Sequence, residues 1–196
     1  MRKESKLQSK DLIIAGAFAA LYVVVLFAVV SATGFIPILY LLAPLILGIV
    51  LGPVYMLYVT KIPKRGAILI LAAVVGLLTS LGGVWMALLW SILCGGLAEL
   101  VASRGKYRSR RFFLGSYVIF ACTNMGPFWM LVFAKEAFLE ACLSYYNQDY
   151  VDTICALTPS WIILVLMGLS LLGGWIGGGL GSKLITKHFI KAGVVS

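Results

Sequence analysis

Charge is scarce in this chain: 12% of its 196 residues are charged, where a soluble domain carries about a quarter. Acidic residues number seven and histidine one. That histidine, His188, stands in a basic tail, so a metal or haem site built on histidine outside the membrane is excluded. No Ser/His/Asp or Cys/His set can be assembled, and catalysis lacks its parts. The four cysteines include no CxxC pair, so their spacing does not suggest zinc or thiol redox chemistry. Cys94 and Cys122 fall in apolar stretches. Cys142 and Cys155 could pair in an oxidising exterior, and free thiols are the simpler reading. Gly181-Ser182-Lys183 has the wrong order for a phosphate-binding loop and no strand before it. No internal repeat supports an inverted-repeat carrier. Residues 1–10 are basic, but no small-residue cleavage site follows, so a cleaved signal peptide is not expected.

Apolar residues are abundant, at 62%, with a mean hydropathy of +1.04. The net charge is +9, and fifteen of the sixteen cations sit in four clusters. These are Arg2/Lys3/Lys6/Lys10, Lys61/Lys64/Arg65, Arg104/Lys106/Arg108/Arg110/Arg111 and Lys183/Lys187/Lys191. The remaining one, Lys135, shares an acidic segment with Glu136, Glu140, Asp149 and Asp152. Short cationic loops stay cytoplasmic. One orientation places every cluster inside and the acidic segment outside, with two spans between successive clusters. The sequence therefore predicts an all-α integral membrane protein. The expected form is a bundle of six transmembrane helices in a single membrane domain, with both termini cytoplasmic. The clusters flank apolar spans, so anionic lipid headgroups explain them better than nucleic acid.

The spans are expected at about 11–33, 38–60, 67–81, 84–102, 112–133 and 159–184; the third is short, and the others are near or above the ~20 residues a bilayer requires. Asp11 can cap the first. Gly34 and Pro37 mark one outer turn, and Gly82-Gly83 another. Pro44 and Pro53 should bend or break the second span. Pro127 lies near the outer end of the fifth, and Pro159 is placed as the first residue of the sixth. Residues 134–158 form the long outer loop, able to close over a pocket or to pack on headgroups.

Several residues stand out within this frame. Ala15/Ala19 and Gly16/Ala20 are spaced four apart on the first span. Small residues at that spacing let another helix approach, either within the subunit or from a second protein. Span six carries overlapping pairs Gly173/Gly177, Gly174/Gly178 and Gly177/Gly181, read as packing inside the subunit. Glu99 is the one acidic residue inside a span. A structural ion pair or hydrogen bond to a basic loop is the favoured role, and a proton or cation site the alternative. The outer half is rich in aromatic residues and poor in charge. Trp85, Asn124, Met125, Trp129, Tyr145, Tyr146 and Trp161 are the candidate substrate contacts. An interfacial aromatic belt explains part of this set, but it leaves Asn124 unexplained, because an amide at that depth needs partners.

With these residues in view, the chain resembles a substrate-binding S component of an energy-coupling-factor (ECF) ABC transporter, of the MptD-type (Trep_Strep) family. The resemblance is carried by Asp11 to Tyr22, Ile36-Pro37, Val59 to Ile68, Gly96 to Leu100, Gly126-Pro127, and Gly173-Gly174 through Gly193. It implies a six-helix bundle with an outward pocket, energised by a transmembrane T component and two cytoplasmic ATPase subunits. It maps the T-component face onto Ala15 and Ala19, with Gly16 and Ala20 beside them. It also implies gating by the segments at about 34–37, 81–84 and 134–158.

The expected function is capture of a small molecule outside and its delivery inward by an ATP-driven complex. The chain itself binds and does not hydrolyse. An aromatic, charge-poor pocket favours a flat or amphipathic ligand. Haem, another tetrapyrrole or an iron chelate is the candidate, as transported ligand and not as an intrinsic cofactor. Met125, Tyr145, Tyr146 and Cys122 are the donor types available to iron. The rival readings are a stand-alone ion- or proton-coupled carrier using Glu99, and a structural membrane subunit without a ligand.

Overall fold

The computed structural model describes residues 7–81 and 84–185. The Gly82-Gly83 turn, the cations Arg2, Lys3, Lys6, Lys187 and Lys191, and His188 lie outside the described residues. Within them the secondary structure is helical. The order is α1 (Ser9–Gly34), α2 (Pro37–Lys61), α3 (Ala67–Ser80), α4 (Met86–Arg104) and α5 (Arg110–Ala121). Two 3-10 segments follow, Cys122–Met125 and Pro127–Trp129. Then come α6 (Met130–Phe133), α7 (Lys135–Leu143), α8 (Gln148–Leu157) and α9 (Ile162–Leu184).

The long helices bury one stripe and expose large apolar side chains elsewhere. On α1 the inward residues are Asp11, Ala15, Ala19, Tyr22 and Leu26, spaced three or four apart as a single helix face requires. Ile13 and Val24 on the other side are 74% and 65% exposed. Such a surface is stable against hydrocarbon, where only the backbone's own hydrogen bonds must be closed.

By length and composition α1, α2, α4 and α9 can each cross a membrane, and a fifth crossing exists if α5 through α6 is taken as one span bent by 50°. The expected count of six is thus met only in part. The third apolar segment forms a helix of 14 residues, a rise of ~21 Å against a hydrocarbon core of about 30 Å. Three proline expectations also change. Helix α2 runs unbroken past Pro44 and Pro53; it is packed along its length, and Tyr117 donates to the Gly48 carbonyl at 2.7 Å, just ahead of Pro53. Pro159 is not the first residue of the last helix: Ile162 N–H donates to its carbonyl and α9 begins there. Of the bend or break expected in the second span, the break is absent; a break is found in the fifth, at Gly126-Pro127.

The most extensive helix pairing joins α2 and α9. A Cβ on Gly48 would sit 2.7 Å from the Gly173 backbone, and one on Gly52 or Gly177 would overlap backbone of the facing helix. Gly174 and Gly178 face Val118, Ala121 and Tyr117 of α5. The glycine pairs of the last span therefore pack inside the subunit on two faces, as the sequence predicts. Buried hydroxyls add interhelical bonds: Ser91 to Ala72 O, Ser116 to Ala98 O and Ser170 to Ala121 O.

The cationic turns Ile62–Gly66 and Gly105–Ser109 lie together at one end. Glu99 joins them. Its carboxylate accepts from the N–H groups of Gly66 (2.8 Å), Ile68 (3.1 Å) and Leu69 (3.2 Å), and from the Tyr107 hydroxyl. It thereby fills the open N-terminus of α3, where free N–H groups and the helix dipole favour an anion. The favoured structural role of Glu99, a hydrogen bond to a basic loop, is what the structure has. Gly66 holds φ +89, a conformation open to glycine. Lys106 and Tyr107 also have positive φ, 51 and 52, which costs non-glycine residues energy; the buried Tyr107 ring and its bond to Glu99 fix the turn. Asp11 accepts from Gln8 N–H, capping α1 as expected, and pairs with Lys64 at 2.6 Å. Tyr58 donates to Ala67 O. Helices α1, α2 and α4 thus clamp one basic loop.

Candidate functional site

The other half of the bundle is organised around the broken fifth helix. At Ala121 the α-helix gives way to 3-10 turns that run to Trp129. Gly126 permits this path, because a Cβ there would sit 2.7 Å from the Ala87 backbone of α4. The carbonyls loosened at the break find side-chain donors: Ser170 reaches Ala121 O at 3.0 Å, and the Trp90 indole N–H reaches Cys122 O at 2.7 Å.

Beside these satisfied groups stand others that are not. Asn124 is 6% exposed, Thr123 4% and Tyr22 0%. Both polar atoms of the Asn124 amide, the Thr123 hydroxyl and the Tyr22 hydroxyl are buried without a hydrogen-bond partner. The Tyr22 hydroxyl is close enough to Asn124 and Thr123 to interact with them, but no pair among the three is aligned as a hydrogen bond. The Trp129 indole N–H is also buried and unpartnered. Each such group costs roughly 1–3 kcal/mol when left unpaired, and native interiors contain few. The chain has put several of them together in mid-bundle, where lipid offers no relief. Phe120 packs edge-on against Tyr22 at 5.8 Å.

A helical hairpin covers this half. The expected outer loop at 134–158 is in fact α7 and α8 joined by a short turn. Asn147 caps α8 by accepting from Tyr150 N–H at 3.0 Å. Phe138, Tyr150, Val151 and Ile154 point inward, while Glu136, Glu140, Asp149 and Asp152 point out. Met125, Phe128, Phe138, Tyr150, Ile154 and Leu166 belong to one apolar core under the hairpin. Tyr40 of α2 meets Phe128 at 5.1 Å and Phe138 at 6.3 Å. Tyr146 and Tyr150 stack at 4.1 Å, and the Tyr146 hydroxyl lies against Gly34, where a Cβ would stand 2.7 Å away. Burial raises the Cys142 thiol above its ordinary range, and it raises the Tyr146 and Tyr150 hydroxyls too, helped by the nearby Cys142. The inner face of the hairpin thus presents apolar and phenolic side chains, with the four carboxylates on its exposed face. All four cysteines are free.

The predicted contacts divide. Asn124, Met125, Trp129 and Tyr146 fall in or against the buried core of this half. Trp85, Tyr145 and Trp161 are 59%, 83% and 62% exposed and stand apart from it. Trp129 also lines a lateral apolar groove of about 290 Å³ with Met86, Leu89, Trp90, Leu93 and Phe133. Sequence reasoning missed Tyr22 and Thr123. The signal for Tyr22 was its place on the Ala15/Ala19 stripe, and for Thr123 its adjacency to Asn124. On α1, Ala15 and Ala19 are each 2% exposed and face the bundle, whereas Gly16 and Ala20 face outward. A Cβ on Gly16 would meet nothing within 4 Å. Among the described residues no group of three or more His, Cys, Asp or Glu side chains could hold a metal ion.

No curated protein and no solved structure matches the chain. A family model described as a hypothetical bacterial integral membrane protein, Trep_Strep, matches residues 9–191. That range takes in the clamped basic end, the broken helix and the hairpin alike, and it agrees with several apolar helices long enough to cross a bilayer. The chain belongs to the Trep_Strep family of bacterial integral membrane proteins.

Proposed function

We propose that this protein is the substrate-binding S component of an ECF-type, ATP-driven importer. It captures a small molecule at the face covered by the α7–α8 hairpin and releases it inward. A T component and two cytoplasmic ATPase subunits supply the work. The observation that carries this reading is the buried, unpartnered set of Tyr22, Thr123 and Asn124 beneath a neutral, aromatic cover. A purely structural subunit has no reason to hold open hydrogen-bonding groups there. In this reading the short α3 completes six spans and both termini are cytoplasmic, since the cationic turns gather at one end.

The T component docks on the outward face of α1. Ala15 and Ala19 are committed to the bundle, so the contact falls to Gly16 and Ala20, whose small side chains admit a second helix closely. The substrate is flat or amphipathic. Haem, another tetrapyrrole or an iron chelate suits the aromatic surroundings. The four iron donors considered do not gather, however: Met125 is fully buried, Tyr145 is exposed, and the Cys122 thiol lies 3.7 Å from Val118 O. An iron-centred ligand sphere is therefore a weaker choice than a metal-free planar molecule. The rival carrier mechanism needs a Glu99 free to exchange a proton or cation, and Glu99 is occupied by four donors.

Co-expression with a T component and two ATPases tests the proposal. A stable four-part complex is expected, broken by Gly16→Trp without loss of the inserted subunit. Uptake by the purified chain alone, driven by a proton gradient, would sink it. Cysteines introduced by N147C and K106C should react with an impermeant reagent from outside and from inside, respectively. Mass spectrometry after mild detergent extraction identifies the retained molecule.

A further inference from the structure

The open polar atoms also specify what they can bind. We infer that Tyr22, Thr123 and Asn124 form a deep subsite for a planar, uncharged group that carries a hydrogen-bond donor beside an acceptor, such as a carboxamide, a lactam or a ureide. The inference rests on the proposed binding role and narrows its substrate class.

The first argument is the inventory of unused atoms. The Asn124 amide presents an NH₂ donor and a carbonyl acceptor side by side, and neither has a partner. The group that satisfies both in one plane has the same pair reversed. The two hydroxyls, from Tyr22 and Thr123, can each give or accept, so they follow the ligand and do not choose it. An ester or ether, which only accepts, would leave the Asn124 carbonyl open.

The second argument is the absence of charge. Among the described residues the one carboxylate with little exposed surface is Asp11, and it lies at the edge of the basic end, engaged with Lys64 and Gln8. Glu99 is bound at that end too. The acids of the hairpin, Glu136, Glu140, Asp149 and Asp152, are on its exposed face, and Lys135 reaches toward Thr158 O at 3.4 Å. No counter-ion is placed among Tyr22, Phe120, Thr123 and Asn124. A carboxylate or ammonium entering there would lose its water without compensation. Ionic parts of the ligand must therefore remain toward the hairpin.

The third argument is position. Tyr22 is on α1 and the other two residues are on the broken helix, so the subsite spans two elements that touch there through side chains, Tyr22 meeting Phe120 edge-on. A ligand bonded to both ties them together.

Three small probes of nearly equal shape separate the cases: benzamide, benzoate and benzamidinium. Each is titrated against the full chain in lipid nanodiscs, with binding read by calorimetry and by the shift in Tm. Benzamide is expected to bind and raise Tm, with benzoate and benzamidinium at least tenfold weaker. Asn124→Leu and Tyr22→Phe should each weaken benzamide at least fivefold, and Thr123→Ser should preserve it. The inference is overturned if either ion binds as well as benzamide, if benzamide does not bind, or if both variants bind it normally. The comparison of probes on the unaltered chain stands even where a variant fails to fold. Loss of the importer reading shows elsewhere, as failure to assemble with a T component while benzamide still binds.

Discussion

At the basic end, the Glu99 carboxylate receives four hydrogen bonds and the loop at 62–66 is held from α1, α2 and α4. In mid-bundle, four polar atoms of Tyr22, Thr123 and Asn124 are more deeply buried than Glu99 and have no partner. Both regions place polar chemistry in an apolar surrounding, where an unmade bond is expensive. One spends its polar groups on holding helices together. The other withholds them. The difference teaches where to look for function: the ionisable residue in a span, usually the first suspect, is here a helix cap, and the neutral amide is the open group.

Removing polar groups should therefore have opposite consequences in the two regions. Glu99→Leu strands three N–H groups and a hydroxyl and should lower stability by about 3–4 kcal/mol, seen as a large fall in Tm in detergent. Glu99→Gln, which keeps one acceptor oxygen, should cost about half as much. A loss under about 1 kcal/mol for Glu99→Leu would mean the basic end is not held by this carboxylate. Asn124→Leu should weaken binding of the proposed ligand by about 1–3 kcal/mol, or roughly 5- to 150-fold, with stability unchanged or slightly raised because no bond is lost. A fall in Tm with unchanged affinity would move Asn124 to the structural side and erase the contrast. Tyr107→Phe removes one of four donors to Glu99 and should cost about 1 kcal/mol, with looser protection of the turn at 105–109 in hydrogen exchange. Lys64→Met breaks the pair with Asp11 at a solvent-facing edge. Its effect should be the smallest of the set and should shrink further in high salt.

Sequence patterns exposed the membrane character, the six apolar segments, the inward glycines of α9, the structural use of Glu99 and the oddity of Asn124. Each of these depends on spacing along one helix or on the cost of one residue type. What stayed hidden depends on contacts between distant segments. Tyr22 reads as one more aromatic in an apolar run until α1 is laid against a helix about a hundred residues away. Two motifs left a choice that only packing could make. Ala15 and Ala19 do mark a close-packed face, but it looks inward. Two prolines in α2 allow a bend or a break, and that helix runs unbroken, while Gly126-Pro127, beside a glycine-sized gap against Ala87, breaks the fifth.

The α2–α9 contact has a mechanical consequence. Where glycine backbones meet with no side chain between them, neither helix can roll or slide without collision, because no rotamer is there to yield. That pair is the stator of the molecule. Any opening must be taken up by parts hung on it: the α7–α8 hairpin and the 3-10 segment from Cys122 to Trp129. In the proposed importer, spin labels across α2 and α9 should keep one narrow distance with and without ligand, while labels from α2 to α8 broaden or shift. A broad α2–α9 distribution would show that the rigid part lies elsewhere.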